Sequence, residues 1–222
     1  MKFSHSAQVL KEFPQLSVTT LMLSDVNADA DTTATARPFL DRASSRLADQ
    51  PESEFPEITA WRRAFSQMGL KPTQYRCASE ALLRRYKKDG ALPSIHPLVD
   101  LCNAVSIAHA IPVAVFDLDR VHGDLVVRHA LGTETYETFS GDIETPEIGE
   151  VIFADEAGHV HARRWTNRQS ALSAIQPSTR SVLIVSEAMH ATGTRDVAQL
   201  HEDLVIALTA HWPACIDGRV DS

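Results

Sequence analysis

Three stretches of the sequence concentrate side chains that donate, accept or transfer protons. In Arg163–Ser170 (RRWTNRQS), Trp165 runs directly into Asn167, Arg168, Gln169 and Ser170. Amides and a hydroxyl order a water or hold an amino group, a guanidinium meets a phosphate or carboxylate, and an indole walls a pocket or stacks on a base. In Leu92–Asn103 (LPSIHPLVDLCN), Ser94 and His96 precede a helical run on which Asp100 and Asn103 lie three residues apart. An imidazole titrating near pH ~6.5 suits general-base work, which makes His96 the candidate. An N-cap followed by a structural Asp–Asn pair is the competing reading. The third stretch, Arg76–Arg85 (RCASEALLRR) continuing to Lys88, is rich in cations. It reads either as a solvated helix face or as a phosphate-seeking one.

Other chemistries lack their residues. There is no GxGxxG after a strand, no GxxxxGK[ST] loop, no GxSxG elbow and no HExxH. His159-x-His161 would put two imidazoles on one face of a strand, but no third ligand stands nearby in sequence, so the pair reads as half-buried and no metal is expected. Asp117 and Asp119 end a strand and read as turn caps rather than an acid–base pair. Cys77, Cys102 and Cys215 are too widely spaced for a disulfide framework or a CxxC site.

The elements that must position these residues follow from periodicity. Ser17–Ser24 is β-branched and alternates weakly, which predicts a strand. Apolar recurrence at three and four residues predicts helices over Pro38–Ala48, Glu57–Met68, Arg76–Lys88, His96–Ala108 and Arg195–His211. From Pro112 the period changes to two, with strands expected at Val113–Leu118, Asp124–Ala130, Glu150–Ala154, His159–Trp165 and Ser181–Glu187. Helices crowd the first half and strands the second, a segregation that favours α+β over a doubly wound sheet. One domain is expected, with residues 1–55 as an N-terminal extension packed on a main domain of residues 56–222. The 222 residues carry 44% hydrophobic side chains and a formal charge of −8, which argues against a globally basic nucleic-acid binder. No apolar run approaches the ~20 residues of a membrane span, and the N-terminus has no signal-type apolar core. A cytoplasmic location without membrane contact is expected.

The order YRCASEALLRR, LPSIHPLVDLCNAVS, IPVAVFDLDRVHGDLVVRHA, GEVIFAD and RRWTNRQS resembles the B3/B4 domain. That module is inserted in the β subunit of phenylalanyl-tRNA synthetase and also exists as free-standing proteins. The likeness runs from Ala60 to Ala188 and is strongest over Pro93–Ala130. It implies a single-domain α+β fold with an antiparallel-rich mixed sheet packed with helices. In the synthetase the module hydrolyses the ester of a tRNA mischarged with tyrosine. This chain departs from that pattern: His96 and Pro97 replace an Asn pair, Ala114 replaces a His, and Trp165–Ser170 replaces a Gly-rich loop. The acidic residue after that loop falls near Leu172. Tyrosine specificity is therefore not implied, and RRWTNRQS looks like the free-standing branch.

The resemblance implies a trans-editing aminoacyl-tRNA deacylase that works by water activation in an amino-acid pocket. The expected catalytic residues are His96, Asn167, Gln169 and Ser170. The expected substrate contacts are Ser94, Asn103, Ala114, Trp165 and Arg168. Arg76, Arg84, Arg85 and Lys88 are expected to meet a tRNA acceptor end transiently. No cofactor or metal is expected, and the small ligand is amino-acid-like. The alternative is a non-catalytic module of the same fold that binds a small ligand or tRNA. A third reading is a partner-binding protein that docks through its first 50 residues or its last helix.

Overall fold

A strand covered on both faces has no side turned to solvent, and Val182–Ala188 (β10) is buried along its whole length, Ser186 and Glu187 included. The computed structural model describes residues 1–213 and 216–221, so Cys215 lies outside the described residues. Before β10 the chain forms β1 (Phe3–His5), α1 (Ala7–Glu12), β2 (Ser17–Leu23), α2 (Thr33–Asp49), α3 (Pro56–Gln67), α4 (Ala78–Asp89) and α5 (Pro97–His109). The strand-rich half follows with β3 (Val113–Asp117), β4 (Leu125–His129), β5 (Thr135–Glu137) and β6 (Ile143–Glu144). Next come β7 (Val151–Ala154), β8 (His159–Arg163) and β9 (Arg168–Gln169); after β10 stand α6 (Gly193–Thr209) and β11 (Ile216–Asp221).

The strands divide into two sheets. The larger has the order β1-β4-β7-β8-β5-β6 with β9 paired to β8, and the smaller has the order β11-β2-β10-β3. Only the β1–β4 and β5–β8 pairs are parallel among the described residues, so both the mixed character and the antiparallel bias are as expected. Alternation along the strands assigns the cores. Leu183 and Val185 of β10 join Phe116, Leu125, Val127 and Phe153 in a core between the sheets. Val182 and Ile184 face the other way, onto Leu98, Leu101 and Val105 of α5 and Val197, Leu200 and Leu204 of α6. The molecule is thus layered as larger sheet, smaller sheet and helices, with α1, α3 and α4 closing the flank of the first core.

The helices obey local rules. α3 starts with Pro56 in its first turn, where no N–H is needed, and buries Ile58, Trp61, Ala64 and Phe65 along one stripe. α4 ends at Gly90, whose φ of 72° gives a left-handed cap. α2 starts five residues earlier than Pro38, which had marked its start in the sequence. The missing N–H of Pro38 removes one intrahelical bond, and the turn before it is kept by Ala36, which is buried.

Residues 1–55 are woven into the sheets rather than laid upon them: β1 extends the larger sheet and β2 runs between β10 and β11 in the smaller. No helix among the described residues is long and apolar enough to cross a membrane.

Candidate functional site

Glu187 lies in phase with Leu183 and Val185 on β10, so it projects a carboxylate into the layer between the sheets, where it is 2% exposed. A carboxylate buried there needs partners. His5 of β1 places Nε2 at 2.6 Å from Glu187 Oε1. The indole Nε1 of Trp165 donates to both carboxylate oxygens at 3.0 Å.

Trp165 reaches this position from the tip of the β8–β9 hairpin. Arg164 and Trp165 have φ values of 46° and 58°, a left-handed conformation that is unusual for bulky residues and costs on the order of 1–3 kcal/mol each. The surroundings impose it. Trp165 N donates to Val151 O at 2.7 Å, and Arg164 N donates to Glu150 Oε1 at 3.1 Å. Arg163 forks onto the same Glu150 through Nε and Nη2. The indole is held edge-on between Phe13 and Trp61, at ring separations of 4.9 and 5.3 Å. Trp165 is fully buried, so no ring surface is left for a nucleobase, and it lines the adjacent cavity.

Beside Trp165 and Glu187 lies a cavity of about 60 Å³. Its apolar walls come from Ala114, Phe116, Phe153 and Val185. Its remaining polar lining comes from Thr166, Asn167, Arg168 and Gln169. Asn167 Nδ2 donates to Arg76 O and Gln169 Nε2 to Val115 O, both at 2.7 Å, which fixes both amide planes. Ala78 N donates to Thr166 O at 2.8 Å and locks the start of α4 to the loop. Thr166 Oγ1 is buried without a hydrogen-bond partner. A buried orphan hydroxyl in a polar recess is a place for a water or a ligand atom.

The fold therefore gathers Ala114, Trp165, Asn167, Arg168 and Gln169 of the expected site and leaves the other four small-ligand residues outside the cavity lining. His96 caps α5, its Nδ1 accepting from Leu98 N at 3.2 Å, and burial pulls its pKa down against the pull of Asp100. α5 packs through Leu98 and Leu101 onto the opposite face of the smaller sheet, so the sheet stands between His96 and the cavity. The general-base assignment to His96 is corrected on that ground. Ser94 Oγ donates to Asp100 Oδ2 at 2.7 Å, beside a separate surface groove bordered by α2, and Asn103 is half-buried on α5. Ser170 is fully buried, and its hydroxyl donates to Glu137 O at 2.9 Å, a structural bond between chain segments. No His, Ser or Cys is among the described residues lining the cavity. The thiols of Cys77 and Cys102 are both pushed up to about 12 by burial, which makes them poor nucleophiles at neutral pH.

The basic stretch is partly neutralised within the molecule. Arg62 and Arg76 both pair with the buried Glu80, Arg84 and Lys87 pair with Glu52, and Arg85 pairs with Asp89. Arg76 stands beside the cavity through its carbonyl bond to Asn167, whereas Arg84, Arg85 and Lys88 lie further along α4. Asp117 is the turn cap that the sequence suggested: Oδ1 accepts from Asp119 N and Oδ2 from Thr179 Oγ1.

Sequence reasoning missed Glu187, His5 and Thr166. The family's acidic position falls near Leu172, so the resemblance carries no carboxylate over; the one at the cavity is Glu187, and its signal was an acidic residue in phase with the core positions of an apolar strand. β1 spans three residues, too few to carry a period that would have drawn attention to His5.

Comparison with known proteins agrees with this architecture. The phenylalanine–tRNA ligase β subunit of Nitrobacter winogradskyi is 38% identical over 79 residues, which cover 36% of this chain and 10% of that protein. The corresponding subunit of Bartonella quintana is 31% identical over 102 residues, 46% of this chain and 12% of that protein. The chain thus matches about a tenth of the length of these curated relatives. Among solved structures, an N-terminal fragment of the phenylalanyl-tRNA synthetase β subunit from Pyrococcus horikoshii superposes with a TM-score of 0.51 at 10% identity. That superposition covers 97% of this chain and 50% of the fragment, and it speaks to fold alone. The family model described as B3/4 domain matches residues 60–204, and the chain belongs to that family.

Proposed function

We propose that the protein is a free-standing deacylase that hydrolyses the ester of a mischarged tRNA, with the cavity beside Trp165 receiving the amino acid. The observation that carries this reading is a recess whose described lining holds one carboxylate, two fixed amides and one orphan hydroxyl against apolar walls. An aminoacyl ester is already activated, so its hydrolysis asks for an oriented water and a polarised carbonyl rather than a protein nucleophile. Glu187 complements the α-ammonium group of such a substrate. The Thr166 hydroxyl and the side-chain oxygens of Asn167 and Gln169 order the attacking water.

Size limits the amino acid. An apolar cavity of roughly 150 Å³ just accommodates benzene, and this one measures about 60 Å³. With Trp165 fixed as a wall, the recess suits a small side chain and excludes an aromatic one. The test is a deacylation panel: purified protein against tRNAs charged with correct and incorrect amino acids, small and large. Selective turnover of a small mischarged residue, with KM raised about tenfold in Glu187→Gln, supports the reading. Selective turnover of an aromatic one defeats the size argument.

A second reading has its own observation. Glu187 already carries His5 and Trp165, and the amide nitrogens of Asn167 and Gln169 are committed to backbone carbonyls. A site so tied suits a binding module that holds a small amino-acid-like ligand without turning it over. A flat deacylation panel together with calorimetric binding of an amino acid, lost in Glu187→Gln, selects this alternative.

A further inference from the structure

In the sequence, His159 and His161 form a pair without a third donor, and the fold supplies two more groups. Asp155 follows β7, and its carboxylate organises the turn into β8. Oδ1 accepts from Ala157 N at 3.0 Å and His159 N at 2.9 Å, and Oδ2 accepts from His122 N at 3.0 Å. Three imidazoles converge on Oδ2: His159 Nδ1 at 3.2 Å, His161 Nε2 at 3.3 Å and His122 Nδ1 at 3.6 Å. His122 comes from the loop before β4 and His159 from the start of β8, and their ring centroids stand 5.2 Å apart. One ligand atom from each of His122, Asp155 and His159 lies within 4.8 Å of the others.

We propose that His122, Asp155 and His159 bind one divalent transition-metal ion of the zinc class, with a fourth coordination position open to solvent. Zinc takes imidazole nitrogen and carboxylate oxygen at ~2.0–2.2 Å, so neighbouring tetrahedral donors stand about 3.3 Å apart. The two imidazole–carboxylate separations of 3.2 and 3.6 Å fit that edge. The remaining imidazole–imidazole edge closes by rotation of His122, whose side chain is 66% exposed and unhindered by a packed core. Two imidazoles and one carboxylate select a borderline cation over magnesium or calcium, which prefer oxygen donors throughout.

His161 completes the arrangement without needing to touch the ion. Its ring is fully buried, with Nδ1 2.8 Å from Ser173 Oγ and Nε2 on the same Asp155 oxygen. The tautomer protonated at Nε2 serves both bonds: it donates to Asp155 and accepts from Ser173. Such a partner fixes the orientation of a ligating carboxylate. His161 also lies edge-on to Phe116, which lines the cavity beside Trp165. An ion here would clip the loop before β4 to the β7–β8 turn.

The test uses the full chain stripped by chelation and then titrated with Zn2+, Ni2+ or Co2+. The expected result is one ion per chain with a Kd on the order of 1 μM or tighter, and a visible Co2+ spectrum of low coordination number. His122→Ala and His159→Ala each weaken binding at least about tenfold, while His211→Ala, outside the cluster, leaves it unchanged. The thermal midpoint of metal-free His122→Ala stays that of the parent, because its ring is exposed; this separates lost binding from lost folding. Asp155→Asn is a poor probe, since it disturbs the turn itself. Failure to bind any of the three ions below about 100 μM overturns the proposal. Binding that survives both histidine substitutions overturns it equally.

Discussion

At the scale of single residues, the indole of Trp165 is tied to both carboxylate oxygens of Glu187. Trp165→Phe keeps most of the ring volume and removes the N–H that donates to the carboxylate. A lost hydrogen bond to a buried charged group is worth about 1.5–3 kcal/mol, so the urea midpoint falls accordingly. Trp165→Ala also empties a packed site between Phe13 and Trp61, and its loss reaches about 3–5 kcal/mol. If Trp165→Phe keeps the parental stability while Trp165→Ala loses it, the hydrogen bond carries nothing and the indole acts through volume alone. Glu187→Gln separates two roles on the proposed substrate. As the anchor for an α-ammonium group, Glu187 raises KM about tenfold on substitution and leaves kcat within about threefold. A fall confined to kcat assigns it to water activation instead.

At the scale of elements, a pH prediction follows from the turn between β4 and β5. Glu134 sits in a concavity of backbone N–H groups from Leu131, Gly132 and Thr133, and it pairs with Arg128. Burial alone would raise its pKa, but those donors and the guanidinium outweigh it and hold the carboxyl at about 2, against 4.5 for an ordinary Glu. A depressed pKa contributes stability that is complete above the ordinary value and lost as pH falls through the folded one. The window is therefore pH 4.5 down to about 2, and the amplitude is at most roughly 3 kcal/mol. Urea denaturation across that window measures it, and Glu134→Gln flattens the slope; an unchanged slope removes Glu134 as the cause. Elements of this kind also show what the sequence made legible. α3, α5, β3 and β10 were readable because each carries several turns or alternations of apolar residues in phase. β1, β5, β6 and β9 span two or three residues, too short for a period, and exist through the neighbours with which they pair. The RRWTNRQS loop was legible by its polar density beside a strand. His96 was misread because spacing along a helix says nothing about which face of a sheet that helix covers.

At the scale of the whole molecule, a chain with a formal charge of −8 must still approach a polyanion if the proposed reaction is correct. The cations of α4, with Arg62 on α3 and Arg76 just before α4, offer the approach, but most already face acids: Glu80, Glu52 and Asp89 answer Arg62, Arg76, Arg84, Lys87 and Arg85. A phosphate would have to displace these pairs, so the net gain per contact is small and the proposed tRNA contact is expected to be weak and brief. The cations are not equivalent as probes. Arg84 covers Glu52, whose side chain is 7% exposed, and its removal leaves a buried carboxylate short of a partner. Arg85 pairs with Asp89 where both side chains are about half exposed, a pair worth roughly 0–1 kcal/mol, and Lys88 is exposed beside it. Arg85→Gln with Lys88→Gln therefore tests tRNA contact with little risk to folding. The expected outcome is a several-fold rise in KM for a charged tRNA, an unchanged kcat, and a log–log salt slope shallower by about 1–2. Turnover of a short aminoacyl ester without the tRNA body stays at the parental level, because the cavity is lined by other residues. If KM and salt slope are both unmoved, α4 is only a solvated face, and tRNA approaches the cavity from elsewhere.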